Sequence, residues 1–196
     1  MTFSTDTDWP LYLRAMFNSC NDLPQDRVPY AAYPALLSYR FGESFIIMPH
    51  TPPRDAPPRS DINTLVFLTV IDMLQGGPVF FTEIKDDSWK SSAERRVEAD
   101  RQFRQWFRSS LLKDCPVPRL RGISILGSSM RVYYGDVATG KITPPYREPP
   151  QVIPPGFLEG EWNINILSKE GHRKMRELLN DIATDLLATL DRSAKN

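Results

Sequence analysis

Residues 61–85 read DINTLVFLTVIDMLQGGPVFFTEIK, and the fold turns on how this stretch is read. Ile62 to Ile71 is almost wholly apolar or β-branched, Asp72 to Gly77 is turn chemistry, and Val79 to Lys85 is a second apolar run. Such runs fit a pleated, buried surface better than a helix. Two of them joined by a short glycine-containing turn predict an antiparallel hairpin. Glu83 and Lys85 interrupt the second run and differ by two positions, so both side chains leave a strand on one face. Antiparallel pairing would bring Asp61, at the entrance of the first strand, toward the same end of the sheet.

Upstream, Ser44 to Met48 predicts a further strand, and Trp9 to Asn18 and Tyr30 to Tyr39 predict helices, the first with Asp8 as N-cap and Pro10 in its first turn. Pro49 to Arg59 holds five prolines in eleven residues. That composition predicts an extended surface loop. Downstream, Trp89, Ala93, Val97, Phe103, Phe107 and Leu111 recur at helical spacing and predict one long amphipathic helix over Ser88 to Lys113. Gly122 to Leu126 and Met130 to Tyr134 read as a strand pair. Pro144 to Pro155 is a second proline-rich surface stretch without periodicity. Trp162 to Leu167 reads as a short strand, and Ser168 as the cap of a helix striped by Met175, Leu178, Leu179, Ile182, Leu186 and Leu190.

The whole predicts one α/β (α+β) domain over residues 1–196, with a core over 9–136 and an elaboration over 137–196, built on a central mixed sheet of about four to six strands flanked by helices. Apolar residues at 41% and charged residues at 24% are near globular averages, which excludes fibrous and wholly disordered classes. Cys20 and Cys115 stand far apart without a C-x-x-C partner, so neither a zinc knuckle nor a disulfide framework is expected. With no leader chemistry near Met1 and no membrane-length apolar run, an intracellular protein, cytoplasmic or nuclear, is the expectation. The formal net charge is zero, so any electrostatic case for nucleic acid must be local. From Lys90 to Arg121 nine basic residues face four acids, which makes such a case.

Asp61, Glu83 and Lys85 have a shared chemical logic. Hard cations such as Mg²⁺ or Mn²⁺ bind through one or two carboxylates and complete their shell with waters and substrate phosphate oxygens. A bound cation lowers the pKa of its water, and a neighbouring ammonium can orient that water or stabilise the charge that develops at phosphorus. Hydrolysis of a phosphodiester is the natural reaction. Arg95, Arg96 and Gln102, on the helix that follows, are candidates to grip the phosphate.

These residues, Ser60-Asp61 before the first strand and Phe80-Phe81-Thr82-Glu83-Ile84-Lys85 before a long helix, resemble the PD-(D/E)XK nuclease superfamily, the restriction-endonuclease-like fold. The resemblance spans roughly Trp9 to Asp136. It implies a core made of a helix, a three-stranded unit, a helix and a further strand. It also implies metal ligation by Asp61, Glu83 and the backbone carbonyl of Ile84, with Lys85 at the water. The superfamily usually has proline where this chain has Ser60, and the acid often found on its first helix has only Asp22 or Glu43 as counterparts here. Ala99 to Gln102 and Pro118 to Ser124 are also similar to a group of uncharacterised fungal proteins carrying this motif. The implied partner is nucleic acid, DNA more than RNA.

The alternative for the trio is a strand-end acid beside a surface cross-strand ion pair. For the basic helix it is a solvated face laced by i,i+4 pairs such as Arg96 with Asp100. Asp100, beside the apolar stripe between Val97 and Phe103, is expected in a structural ion pair. His50, His172 and the four tryptophans lack ligand or ladder spacing and are expected to serve packing or the surface. The rival function is a nuclease-like fold without turnover, acting as a binding or protein-interaction module, with the proline-rich segments as docking surface.

Overall fold

The computed structural model describes residues 6–21, 32–50 and 66–193. Asp61, Asp22 and residues 62–65 of the expected hairpin lie outside the described residues.

Among the described residues seven strands form one mixed sheet: β1 (Phe45–His50), β2 (Val66–Asp72), β3 (Pro78–Lys85), β4 (Arg119–Leu126), β5 (Ser129–Asp136), β6 (Ile142–Thr143) and β7 (Ile164–Asn165). The first six lie side by side in chain order, and β7 pairs with β5. The meander β1-β2-β3 is antiparallel, and β4 returns parallel to β3. A parallel neighbour requires a crossover, supplied by two helices, α3 (Ser88–Ser91) and α4 (Ala93–Trp106). The other helices are α1 (Leu11–Asn21), α2 (Ala32–Phe41) and α5 (Lys169–Ser193). The mixed sheet flanked by helices is the α+β architecture expected, with β6 and β7 as two-residue additions.

The hairpin forms as read, with Val66 opposite Ile84 and Phe67 opposite Glu83. Pro49, expected in a loop, belongs to β1 instead. An edge strand tolerates it, because a missing N–H costs no ladder bond on the open side. The long helix expected over Ser88 to Lys113 is broken. Ser92 is extended (φ −110°, ψ 134°) and its side chain accepts from the Arg95 N–H, so α4 starts afresh there. Beyond Trp106 the chain widens into a π turn over Phe107–Leu111 and tightens into a 3-10 turn before Cys115. The strand expected over Trp162 to Leu167 shrinks to the two residues of β7.

The two sheet faces differ in chemistry. On one, α2 and α5 cover Phe80, Ile84, Ile123 and Ile125 with apolar side chains; Phe41 meets Phe80 at 5.2 Å between ring centres. Under α4 lies the opposite face, bearing Phe81, Glu83 and Lys85 from β3. Gly122 is required there: a Cβ would stand 2.8 Å from the Phe103 ring and 2.9 Å from that of Phe107. His172 is buried edge-on to Trp9 at 4.9 Å, and Trp9 donates through Nε1 to the Ile166 carbonyl at 2.8 Å. Both therefore pack the core.

Ser168 caps α5, its Oγ accepting from the Gly171 N–H at 3.0 Å. Ser168→Ala is expected to lower unfolding free energy by about 1 kcal/mol in a urea titration, since one N-terminal donor loses its partner. An unchanged midpoint would mean the cap contributes nothing. Among the described residues, no helix is long and apolar enough to cross a membrane.

Candidate active site

Strand β3 is flanked on both sides, so its side chains can only enter one of two packed layers. Its alternation sends Phe81, Glu83 and Lys85 into the layer beneath α4. The lateral neighbours on that face follow from the register, with Glu83 beside Ser124 of β4 and Ser124 beside Arg131 of β5. A polar row therefore crosses three strands in the interior. Charges in that position are costly unless paired.

Glu83 and Lys85 pair with each other, Nζ donating to Oε1 at 2.9 Å, with side chains 0% and 1% exposed. This is a same-strand pair in the core, not the surface cross-strand bridge weighed as an alternative. Lys85 donates also to Oε1 of Gln102 at 2.9 Å, and its ammonium lies 4.4 Å from the centre of the Trp89 ring. Two hydrogen bonds and a cation–π contact thus enclose it. Glu83 is less well served. Its Oε2 is buried and has no hydrogen-bond partner among the described residues. Burial pushes the Glu83 carboxyl above its ordinary value; Lys85 pulls the other way, and Glu98 and Asp100 add to the rise.

Next to this pair lies a network that sequence reasoning saw only in part. Asp100 is buried on α4, and its Oδ1 accepts from Arg131 Nη1 at 2.9 Å and from the Tyr133 hydroxyl at 2.7 Å. Its Oδ2 accepts from Arg104 Nε at 2.8 Å. The expected structural role of Asp100 holds, but its i,i+4 partner is Arg104 rather than Arg96. Burial, followed by the Asp100 charge, pushes the Tyr133 hydroxyl well up. Arg131 reaches Glu161 as well, at 3.2 Å. Trp162 donates through Nε1 to the Ser124 hydroxyl at 3.2 Å, and with Trp89, Ala99, Leu126 and Leu158 it forms a small second core at this end of the sheet.

Gln102, expected at the phosphate, meets Lys85 directly and donates to Glu98. Arg95 is exposed on the rim, where its Nη1 donates to Ser88 Oγ. Arg96 is buried. Its three guanidinium nitrogens donate to the carbonyls of Phe157, Lys90 and Pro155, which clamps the proline-rich segment onto α4. This clamp replaces the phosphate grip expected of Arg96. The Ile84 side chain is buried on the apolar face, and its backbone sits between Val66 and Ile125 inside the ladder. Glu43 is exposed in a 3-10 turn after α2, remote in the strand order from the end of β3 that carries Glu83.

Among the described residues no group of three His, Cys, Asp or Glu side chains is gathered closely enough to hold a metal ion. The structure thus brings together Glu83, Lys85 and Gln102 and leaves Arg95 at the rim. No family model matches this chain, nor does any curated protein or solved structure.

Proposed function

We propose that the chain is a metal-dependent phosphodiesterase of the PD-(D/E)XK type acting on nucleic acid, with Glu83 as metal ligand and Lys85 as the cation at the scissile phosphate. The observation that carries this reading is Glu83 Oε2, a carboxylate oxygen fully buried and without a partner among the described residues, two positions from a lysine. An orphaned anionic oxygen is costly in an apolar interior and a divalent cation relieves it. Support also comes from the order of elements: helices α1 and α2, a three-stranded antiparallel meander, a crossover through α3 and α4, and a strand parallel to the third. The motif stands at the C-terminal ends of the parallel pair β3 and β4, where α/β sheets bind ligands.

The donor set fits a hard cation that keeps most of its waters. Glu83 supplies one carboxylate, and the reading assigns the second to Asp61 and a carbonyl to Ile84. Mg²⁺ or Mn²⁺ would supply Lewis acidity and a water acidified for attack on phosphorus. The chain's own part is positional. Gln102 and Glu83 hold the Lys85 ammonium in one orientation, and the Trp89 ring keeps water from it. A phosphate reaching Lys85 must displace Trp89. Because metal binds the ionised carboxylate, a Glu83 carboxyl raised by burial makes metal affinity climb with pH and fall as the group protonates.

The rival, a nuclease-like module without turnover, is favoured by one observation: Lys85 has its partners already and is sealed beneath Trp89. The experiment is hydrolysis of single- and double-stranded DNA oligonucleotides with Mg²⁺ or Mn²⁺ by wild type, Glu83→Gln and Lys85→Met. Metal-dependent cleavage is expected, falling by about 10²–10³ or more on Lys85→Met, as when one preorganised donor is removed from an active site. Absence of cleavage by a folded wild type with either metal would leave the module.

A further inference from the structure

We propose that the cleft between the C-terminal end of α4 and the β6 edge of the sheet is a second site, separate from Glu83, that binds a nucleotide unit by its phosphate and its base. It does not depend on the phosphodiesterase reading. A cleft of about 530 Å³ opens there, lined by Arg101, Arg104, Arg108, Lys141, Ile142 and Tyr146 among others, with no acidic residue in its wall. That volume lies within the roughly 300–1,000 Å³ of small-ligand sites. Four cations line the cleft; Arg101 is paired with Glu98 and Arg104 with Asp100, so the local excess of charge on a neutral chain comes from Arg108 and Lys141. Arg108 and Lys141 are exposed and have no acidic partner among the described residues. An anion is the ligand such a wall selects.

Arg104 gives the cleft a rigid anchor. The residue is 8% exposed, its Nε is held by Asp100, and its guanidinium lies 5.2 Å from the Tyr133 ring centre and 5.8 Å from that of Tyr146. Its Nη2 is itself buried and has no hydrogen-bond partner among the described residues, so a phosphate reaches it only if the cleft opens slightly. An arginine fixed by a carboxylate and two rings loses little freedom on meeting a phosphate. Beside the cations, Tyr146, with Arg104 near its ring, is 42% exposed, and buried Ile142 adds apolar surface. A flat base can stack there while its phosphate meets the guanidinium groups. A simple anion uses only half of this wall; a nucleotide uses both. A free mononucleotide and one unit of a single strand present the same chemistry.

The test is fluorescence anisotropy at low salt with EDTA present, so that no metal site takes part. The probe is a short fluorescein-labelled oligodeoxythymidylate, and adenosine 5′-monophosphate is the competitor. The triple variant Arg101→Ala/Arg108→Ala/Lys141→Ala, all at exposed positions, is expected to weaken oligonucleotide binding at least about tenfold. It should also flatten the slope of log affinity against log salt by about 2, at about 0.7 per lost phosphate contact. Tyr146→Ala is expected to weaken binding about fivefold or more, and Tyr146→Phe to restore it, as stacking requires. Competition by the mononucleotide assigns the site to free nucleotides, and its failure assigns it to a strand. A wild type that binds neither probe, or a triple variant that binds as wild type does, overturns the site.

Discussion

Asp100→Ala is expected to lower the free energy of unfolding by about 3–5 kcal/mol, the cost of removing one member of a buried ionic network. The carboxylate accepts three hydrogen bonds, from Arg104, Arg131 and Tyr133, all of them buried. Among the described residues Arg104 Nη2 and Arg131 Nε already lack partners, so the network has no slack with which to recover a lost acceptor. The variant leaves two guanidinium charges in the interior with one carboxylate fewer. Asp100→Asn, which keeps an acceptor and loses the charge, should fall between the two. Urea unfolding followed by far-UV circular dichroism measures both. A loss below about 1 kcal/mol for the alanine variant would mean that water or Glu161 takes over, and that the network is not the rigid frame on which α4 sits.

Lys85→Met should cost a comparable amount, with a pH dependence that identifies the cause. Removing the ammonium leaves Glu83 with neither of its oxygens paired, and a lone buried charge costs about 3–5 kcal/mol. The carboxyl has an escape, because it can take up a proton. Burial already pushes Glu83 up, and Lys85 is the largest influence pulling it down, so the variant raises it further. A group whose folded value is raised favours the folded state at low pH and loses that contribution as pH climbs through the folded value. The defect of Lys85→Met should therefore be greatest at alkaline pH and shrink on acidification. Glu83→Gln/Lys85→Met removes both charges together and should be close to neutral in stability, as replacement of buried pairs often is. Thermal unfolding of both variants across pH checks this. A Lys85→Met defect independent of pH, or a double variant worse than the single, would contradict the pairing.

The meander could be read because its strands are long and apolar, with the Gly76-Gly77 turn setting their spacing. Glu83 and Lys85 stood out for the same reason, as charges within a strand otherwise suited to burial. The break at Ser92 could not be read. Trp89 and Ala93 are four apart, so periodicity runs unbroken across a residue whose extended backbone restarts the helix. The π turn was hidden likewise, since Phe103, Phe107 and Leu111 keep helical spacing while the backbone widens. Strands β6 and β7 have two residues each, too few to show alternation. The Asp100 network joins residues 31 and 33 positions apart, and it depends on a register that no local pattern encodes. The Arg96 clamp reaches about twice as far along the chain, to carbonyls at Pro155 and Phe157.

The central claim is that Glu83 is a metal ligand, and isothermal calorimetry with Mg²⁺ and with Mn²⁺ tests it most directly. Wild type should bind, and because burial raises Glu83, binding should tighten as pH climbs. Asp61→Ala/Glu83→Gln, which leaves Lys85 an acceptor, should abolish the heat, with circular dichroism showing that the variant is folded. A folded wild type that binds neither ion, or a double variant that binds as wild type does, would contradict the claim and leave the Glu83–Lys85 pair as architecture alone.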